Sequence, residues 1–278
     1  MKTYFLDDRY ATSPVAPVSF LNRILGGWRW VFYAQYVVGV LRARKMAVRG
    51  LYDDSAWAES SFGVLRTIER NRGRFEITGI DRVRSAAGQG PLIFISNHMS
   101  TLETQVLPAL IAPFMPVTFV VKERLATSPV FGPIMRSRDP ITVGRKNPRE
   151  DLEAVLRGGV ERLQRGVSII VFPQSTRSPV FNPEAFNTLG IKLASEAGVP
   201  VMPIAVKTDF WGDEGLFRGF GPIRPERTIH IEFGSLLKVA GRGKDQHLEI
   251  VKFIESRLSR WGAHEREARG APQHHMSV

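Results

Sequence analysis

The chain has 278 residues, and 43% of them are hydrophobic, which is enough for a full core and excludes a protein that is disordered throughout. It contains no cysteine, so disulfides, thiolate metal sites and cysteine nucleophiles are excluded. The formal net charge is +11 at pH 7. Residues 20–50 hold six basic residues and no acid, and residues 122–149 hold seven basic residues against two acids. Charge concentrated in two segments predicts specific anionic surfaces as partners.

The first 72 residues are predicted to form an N-terminal lead segment followed by a helical hairpin. Residues 1–18 have no basic-then-apolar pattern, so we expect a poorly ordered lead and no cleaved export signal. Residues 19–41 and 51–71 have helical periodicity, but the uncharged stretch at 30–41 is too short to span a bilayer. Aromatic residues typical of membrane interfaces lie in the first helix, at Trp28, Trp30, Tyr33 and Tyr36, and basic residues follow at 42–49. The hairpin is therefore predicted to lie on a membrane surface, or else to pack its apolar stripe on the rest of the protein.

From residue 73 to residue 261, predicted strands and helices alternate. Strand patterns occupy residues 75–80, 92–96, 117–122, 141–144, 167–172, 201–206 and 229–233, and helical patterns occupy 101–111, 130–136, 149–165, 183–197 and 246–261. This alternation indicates an α/β domain with a mostly parallel central sheet covered by helices. Residues 262–278 are polar and predict a disordered tail.

A polar turn, Asn97-His98-Met99-Ser100-Thr101-Leu102-Glu103, follows the predicted strand at 92–96. Positions five apart are rotated by about 140° on an ideal helix, so His98 and Glu103 meet only if His98 stays in the turn. Glu103 would then accept the Nδ1–H of His98 and leave Nε2 as a general base. The alternative is an S-x-x-E capping box, in which Glu103 binds only the Ser100 backbone N–H.

A second polar loop, Phe172-Pro173-Gln174-Ser175-Thr176-Arg177-Ser178, follows the predicted strand at 167–172. With the His98 turn before it and Val-Pro-Val-Met-Pro-Ile-Ala-Val at 199–206 after it, the sequence resembles the glycerolipid acyltransferase family over about residues 75–208. The likeness is to its bacterial 1-acyl-sn-glycerol-3-phosphate acyltransferases. In that family a His-x-x-x-x-Asp dyad activates the acceptor hydroxyl, and a Phe-Pro-Glu-Gly-Thr-Arg-Ser loop binds the acceptor phosphate. This chain departs from the pattern with Glu103 for Asp, Gln174 for Glu and Ser175 for Gly.

The resemblance implies two groups of site residues. The catalytic pair would be His98 and Glu103. The substrate-binding residues would be Lys122, Arg145, Gln174, Ser175, Thr176 and Arg177. Arg145 ends a segment, Asp-Pro-Ile-Thr-Val-Gly-Arg, that resembles the family block whose final Arg helps to hold the acceptor phosphate. No metal-ligand set or nucleotide-binding motif is evident, so we expect no metal or other cofactor.

The implied activity is transfer of an acyl group to the hydroxyl of a lysophospholipid such as 1-acyl-sn-glycerol-3-phosphate, in phospholipid biosynthesis. The expected partners are that acceptor, an acyl-CoA or acyl carrier protein donor, and an anionic membrane surface at the cytoplasmic face of the inner membrane. Two alternatives stay open because of the three departures: a different lyso-lipid acceptor, or a non-catalytic member that binds anionic lipid. The basic charge also fits a nucleic-acid binder, but the chain has no recognition motif for nucleic acid, so we expect no such partner.

Overall fold

The structure, a computed structural model, describes residues 2–15, 29–144, 147–174, 176–212 and 219–270. The strands are β1 (Arg9–Ala11), β2 (Arg74–Thr78), β3 (Ile93–Ser96), β4 (Val117–Lys122), β5 (Ile141–Val143), β6 (Ser168–Val171), β7 (Val201–Lys207) and β8 (Thr228–Phe233). The helices are α1 (Arg29–Val48), α2 (Asp54–Arg70), α3 (Ile80–Ala87), α4 (Leu102–Ile111), α5 (Glu123–Ala126), α6 (Gly132–Arg136), α7 (Pro148–Gln164), α8 (Leu189–Ala197) and α9 (Lys244–Gly270). A 3₁₀ turn covers Pro183–Ala185.

The strands form one sheet in the order β1-β2-β8-β7-β3-β6-β4-β5. β1 pairs with β2 and β7 pairs with β8 in antiparallel orientation, and the other neighbours are parallel. The sheet is therefore mixed, and the expectation of a mostly parallel sheet was wrong. β7 and β8 are antiparallel because no described helix separates them, so the chain returns without a crossover. β1 comes from the N-terminal lead that we expected to be poorly ordered.

The central strands β3, β6 and β7 are buried along their whole length because helices cover both faces of the sheet. Side chains alternate along β3, with Phe94 in one core layer and Ile93 and Ile95 in the other. α1, α2, α3 and α4 contribute to the Phe94 layer, and α7, α8 and α9 contribute to the opposite layer. The carboxyl ends of the parallel strands β3, β6 and β4 therefore lie along one edge of a well-buried sheet.

The N-terminal helices α1 and α2 pack on each other, but much of the apolar stripe of α1 faces the protein. Phe32, Tyr33 and Tyr36 surround Trp211, with ring-centroid distances of 5.0, 5.9 and 4.9 Å. The Tyr33 hydroxyl also donates to the Gly221 carbonyl oxygen at 2.6 Å. Tyr33 and Tyr36 are thus core residues, as the packing alternative predicts; Trp28 lies outside the described residues. Within the described ranges, we find no helix with the length and apolar character needed to cross a bilayer.

Several element boundaries differ from the sequence-based expectation. The strand expected at 75–80 ends at Thr78, because Gly79 has a φ of 82° and is the N-cap of α3, a helix that we did not predict. The helix expected over 183–197 is divided, because Phe186 is extended and the Asn187 side chain accepts from the Leu189 N–H at 2.9 Å. α9 continues past Trp261 to Gly270, into the segment expected to be disordered, and residues 271–278 lie outside the described part.

Candidate active site

His98 and Glu103 meet at the carboxyl end of β3. β3 ends at Ser96 and α4 begins at Leu102, so His98 lies in the turn and Glu103 in the first helical turn. The imidazole Nδ1 is 2.8 Å from Glu103 Oε1. Asn97 fixes the turn, because its side-chain amide donates to the Val206 carbonyl oxygen at 2.8 Å and accepts from the Val206 N–H at 2.9 Å. The dyad geometry expected from the sequence is present.

Glu103 is fully buried, and both of its carboxylate oxygens accept hydrogen bonds. Oε1 accepts from the backbone N–H groups of Met99 at 2.7 Å and Ser100 at 2.9 Å, in addition to His98. Oε2 accepts from the Thr208 hydroxyl at 2.7 Å. The bond from the Ser100 N–H is the one a capping box requires. One carboxylate therefore makes the capping bond and also contacts His98, so the cap does not exclude the contact that a catalytic pair requires.

The carboxylate determines which nitrogen of His98 carries the proton. Burial by itself raises the pKa of Glu103, but the hydrogen bond and charge of His98 and the hydrogen bond from Thr208 outweigh it, so the pKa is lowered overall. An ionised carboxylate only accepts hydrogen bonds, so Nδ1 must carry the hydrogen that joins it to Oε1. In neutral imidazole, Nε2 then has a free lone pair and can act as a base.

A cavity of about 1400 Å³ lies along this edge of the sheet, and His98 is part of its lining. Four of the predicted substrate-binding residues also line it, namely Lys122, Gln174, Thr176 and Arg177. Arg145 and Ser175 lie outside the described residues, so their prediction stays open. Apolar side chains line other parts of the cavity, including Phe119, Val121, Phe131, Met135, Leu152 and Val155. The site can therefore accommodate a substrate that has an anionic group and a hydrocarbon chain.

The cavity is also lined by three cationic residues that were not predicted from the sequence, namely Arg124, Lys192 and Arg224. Arg224 comes from the segment between β7 and β8, which carries no motif, so no local signal identified it. Arg124 belongs to the basic segment 122–149, in which no motif distinguishes it from the neighbouring bases. Among the described residues, no group of three or more His, Asp or Glu side chains converges as metal ligands do.

The family model described as Acyltransferase matches residues 74–207. A 1-acyl-sn-glycerol-3-phosphate acyltransferase of Pseudomonas aeruginosa is 30% identical over 187 residues, which is 67% of this chain and 68% of that protein. The chain belongs to the glycerolipid acyltransferase family. It is an O-acyltransferase.

Two other proteins are also similar to this chain. A lyso-ornithine lipid O-acyltransferase of Pseudomonas aeruginosa is 28% identical over 180 residues, covering 59% of this chain and 66% of that protein. The crystal structure of the 1-acyl-sn-glycerophosphate acyltransferase from Thermotoga maritima has a TM-score of 0.57 at 20% identity, covering 91% of this chain and 98% of that one. At that identity, the structural likeness shows a shared fold only.

In this acyltransferase, the second motif loop holds the His98 turn. The His98 backbone N–H donates to Gln174 Oε1 at 2.7 Å, and the Ser178 N–H donates to the His98 carbonyl oxygen at 3.0 Å. The imidazole also stacks on Phe172, with a centroid distance of 4.4 Å. The side-chain oxygen of Gln174, a residue expected to bind substrate, therefore accepts a hydrogen bond from the His98 turn. A neutral amide makes this bond without placing a second carboxylate beside the pair.

Arg177 is placed by the same turn. Its guanidinium Nη1 donates to the Thr101 hydroxyl, the residue immediately before α4. Thr101 and Arg177 both line the cavity. The motif arginine is therefore joined by one hydrogen bond to the segment that carries His98 and Glu103.

Proposed function

We propose that this acyltransferase transfers an acyl group from acyl-CoA or acyl carrier protein to the hydroxyl of a lysophospholipid such as 1-acyl-sn-glycerol-3-phosphate. The observation that carries the proposal is the His98–Glu103 pair in a cavity that has both cationic and apolar lining. The relative named as a 1-acyl-sn-glycerol-3-phosphate acyltransferase supports this acceptor class. The reaction uses the acyl donor as a co-substrate and needs no resident cofactor.

In this reaction, His98 Nε2 removes the proton from the acceptor hydroxyl as that oxygen attacks the thioester carbonyl carbon. The tetrahedral intermediate collapses with cleavage of the carbon–sulfur bond, and the leaving thiolate takes the proton from the imidazolium. Glu103 keeps the proton on Nδ1 and stabilises the imidazolium while it exists. The acyl group passes directly from sulfur to oxygen, so no covalent acyl-enzyme forms.

Arg177, Lys122 and Arg145 are proposed to bind the acceptor phosphate. A guanidinium binds phosphate through two parallel, charge-assisted hydrogen bonds, which also orient the acceptor. The position of Arg177 beside the His98 turn supports its role. Arg145 rests on the sequence motif alone, because it lies outside the described residues.

A different lyso-lipid acceptor is the second candidate, and two observations favour it. One relative is named for lyso-ornithine lipid. In addition, Gln174 and Ser175 replace the Glu and Gly of the family loop. Both candidates use the same pair and the same donor chemistry, so the acceptor alone separates them.

The acceptor is tested by a panel of lysophosphatidate, neutral-headgroup lysophospholipids and a lyso-ornithine lipid, each with labelled acyl-CoA and acyl carrier protein. We expect lysophosphatidate to give the highest kcat/KM, because clustered cations bind a phosphate monoester more strongly than a zwitterionic headgroup. A higher kcat/KM for the aminolipid would replace the first candidate by the second. Absence of transfer in every combination would contradict both acceptor candidates.

We further propose that α1 docks this enzyme on an anionic membrane surface. The face of α1 that does not pack on the protein is apolar at Trp30, Val37, Val38, Leu41 and Val48. Exposed bases lie on the same helix and just after it, at Arg42, Lys45 and Arg49. An apolar helix face flanked by bases suits the headgroup region of a bilayer, where a lysophospholipid acceptor resides.

Val38→Glu with Leu41→Glu is expected to weaken binding to anionic vesicles by roughly tenfold or more, because each exposed apolar side chain contributes about 1 kcal/mol when it enters the bilayer. Turnover of detergent-dispersed acceptor should stay near wild type. Vesicle co-sedimentation measures the first effect and a detergent assay the second. Truncation of α1 is a poorer test, because it would also remove Phe32 and Tyr36 from the core.

Leu248→Glu is the matched control for this experiment. Leu248 is 45% exposed on α9, and Val38 is 46% exposed on α1, so the two positions bring a similar apolar surface to solvent. The control should leave vesicle binding unchanged. Docking through α1 would be contradicted if Leu248→Glu weakened vesicle binding as much as the double α1 variant does. It would also be contradicted if the α1 variant bound vesicles as well as wild type.

A further inference from the structure

Thr208 is a fully buried residue that no sequence motif singles out. It follows the last residue of β7, so it lies at the same edge of the sheet as His98. Its hydroxyl donates to Glu103 Oε2 at 2.7 Å and is 2.9 Å from the Ser100 hydroxyl oxygen. The Ser100 oxygen in turn accepts from the Leu102 N–H at 3.0 Å. Thr208 is therefore part of a closed polar network around the buried carboxylate.

Thr208 differs in kind from the other partners of Glu103. His98, Met99 and Ser100 all belong to the turn just before α4, and each bonds to Oε1 or to both oxygens. Among the described residues, Thr208 alone brings a side-chain hydrogen-bond donor to Glu103 from outside this turn. A glutamate has one more rotatable bond than the aspartate of the family pattern, so its carboxylate needs an additional constraint to hold one orientation.

We infer that Thr208 is a positioning residue for the His98–Glu103 pair. Its hydroxyl holds Oε2, so Oε1 stays directed at His98 Nδ1. The inference rests on the proposed function, in which His98 is the general base. It assigns to Thr208 no contact with substrate; Thr208 acts only through Glu103.

A purely structural role for the Thr208 hydroxyl is a weaker explanation of the same contacts. Asn97 already joins the end of β3 to β7 through two hydrogen bonds with Val206. The Ser100 hydroxyl lies 3.1 Å from Glu103 Oε2, so the carboxylate keeps a donor on that oxygen if Thr208 loses its own. The fold should therefore survive the loss of this one hydroxyl. The donors that remain all come from the turn before α4, so the carboxylate should be held less firmly toward His98.

The test compares Thr208→Val, which keeps the shape and removes the hydroxyl, with Thr208→Ser, which keeps the hydroxyl. Thr208→Val should lower kcat about tenfold or more and change KM for either substrate by less than about twofold. Thr208→Ser should recover most of kcat. The Thr208 hydrogen bond lowers the pKa of Glu103, so its loss should change the low-pH range of the kcat–pH profile in Thr208→Val, and Thr208→Ser should restore that range.

Thr118→Val is the matched control. Thr118 is also fully buried and its hydroxyl also donates a 2.7 Å hydrogen bond, but to the Arg138 carbonyl oxygen and away from the pair. This change should leave kcat and its pH profile unchanged. Wild-type kcat in Thr208→Val, equal losses in the Val and Ser variants, or a kcat loss that merely follows Tm would each overturn the inference.

A proton NMR measurement separates this inference from the proposed function. The resonance of the hydrogen-bonded Nδ1–H of His98, assigned by its absence in His98→Ala, requires no substrate. This resonance should shift or broaden in Thr208→Val and should return to its wild-type position in Thr208→Ser. If wild-type protein transfers no acyl group but this resonance responds as expected, the proposed function fails while the positioning contact stands; an unchanged resonance overturns the positioning itself.

Discussion

His98→Ala should lower kcat by about 10²- to 10⁴-fold, the usual contribution of a general base. The change removes Nε2, the one imidazole nitrogen not engaged with Glu103. It should leave the fold intact, because the ring stacks on Phe172 at the cavity and does not belong to either core layer. Glu103 keeps its bonds to two backbone N–H groups and to Thr208 after the change. kcat with saturating donor and Tm measured on the same preparation provide the check.

His247→Ala is a suitable control for the loss of an imidazole. His247 is also partly buried and stacks on an aromatic ring, Phe186, at 6.0 Å, but it lies on α9 and does not line the cavity. It should keep wild-type turnover. If the kcat of His98→Ala were within about tenfold of the wild-type value, His98 could not be the general base.

Local sequence patterns predicted the elements that carry the site. A short apolar run followed by a polar turn and a helix start identified β3, His98 and α4, because each of these signals is contained in a few adjacent residues. The second loop was found in the same way. β1 was not predicted, and β8 was predicted as a strand but not as antiparallel to β7. The pairing of β1 and the direction of β8 both depend on contacts between distant segments.

The side chains that support the site were harder to predict for the same reason. Thr208 follows a predicted strand, which is a weak signal, but nothing in the sequence indicates that its hydroxyl reaches Glu103 across 105 positions of the chain. Gln174 lies in a motif loop, yet its amide oxygen accepts from a backbone N–H whose position only the folded turn sets. From the sequence, the aromatic residues of α1 could contact either a membrane or the protein core. Their contacts with Trp211 in the structure show that Tyr33 and Tyr36 belong to the core.

The lowered pKa of Glu103 also predicts how stability depends on pH. An acid whose pKa is lower in the folded state stabilises the fold fully above its unfolded-state pKa, near 4.3 in model peptides, and loses that contribution as the pH falls through the folded-state value. The free energy of unfolding of wild-type protein should therefore decrease over this acidic range. Glu103→Gln has no such group, so its stability should change less with pH there.

Glu103→Gln should lower kcat by about 10²-fold or more while changing Tm little. Two backbone N–H groups point at the position of Oε1 and require an acceptor, so the amide oxygen of Gln must occupy that position. The amide NH₂ must then occupy the position of Oε2 and face the hydroxyl oxygens of Thr208 and Ser100. The capping bond and the Nδ1–H tautomer of His98 are then both retained. The variant loses only the negative charge that stabilises the imidazolium in the transition state. The fall in kcat therefore measures the contribution of that charge to catalysis.

Glu103→Asp completes the comparison, because it restores the charge on a side chain one methylene shorter. The shorter carboxylate cannot keep every bond that Glu103 makes from His98 to Thr208, so Tm should fall, but substantial activity should remain if it still reaches His98 Nδ1. kcat, KM and Tm of the two variants are measured together. Large loss in the Gln variant with recovery in the Asp variant supports the pair, because only the charge follows that order. Full activity in the Gln variant would leave Glu103 as a helix cap, and the general base would then need another source of activation.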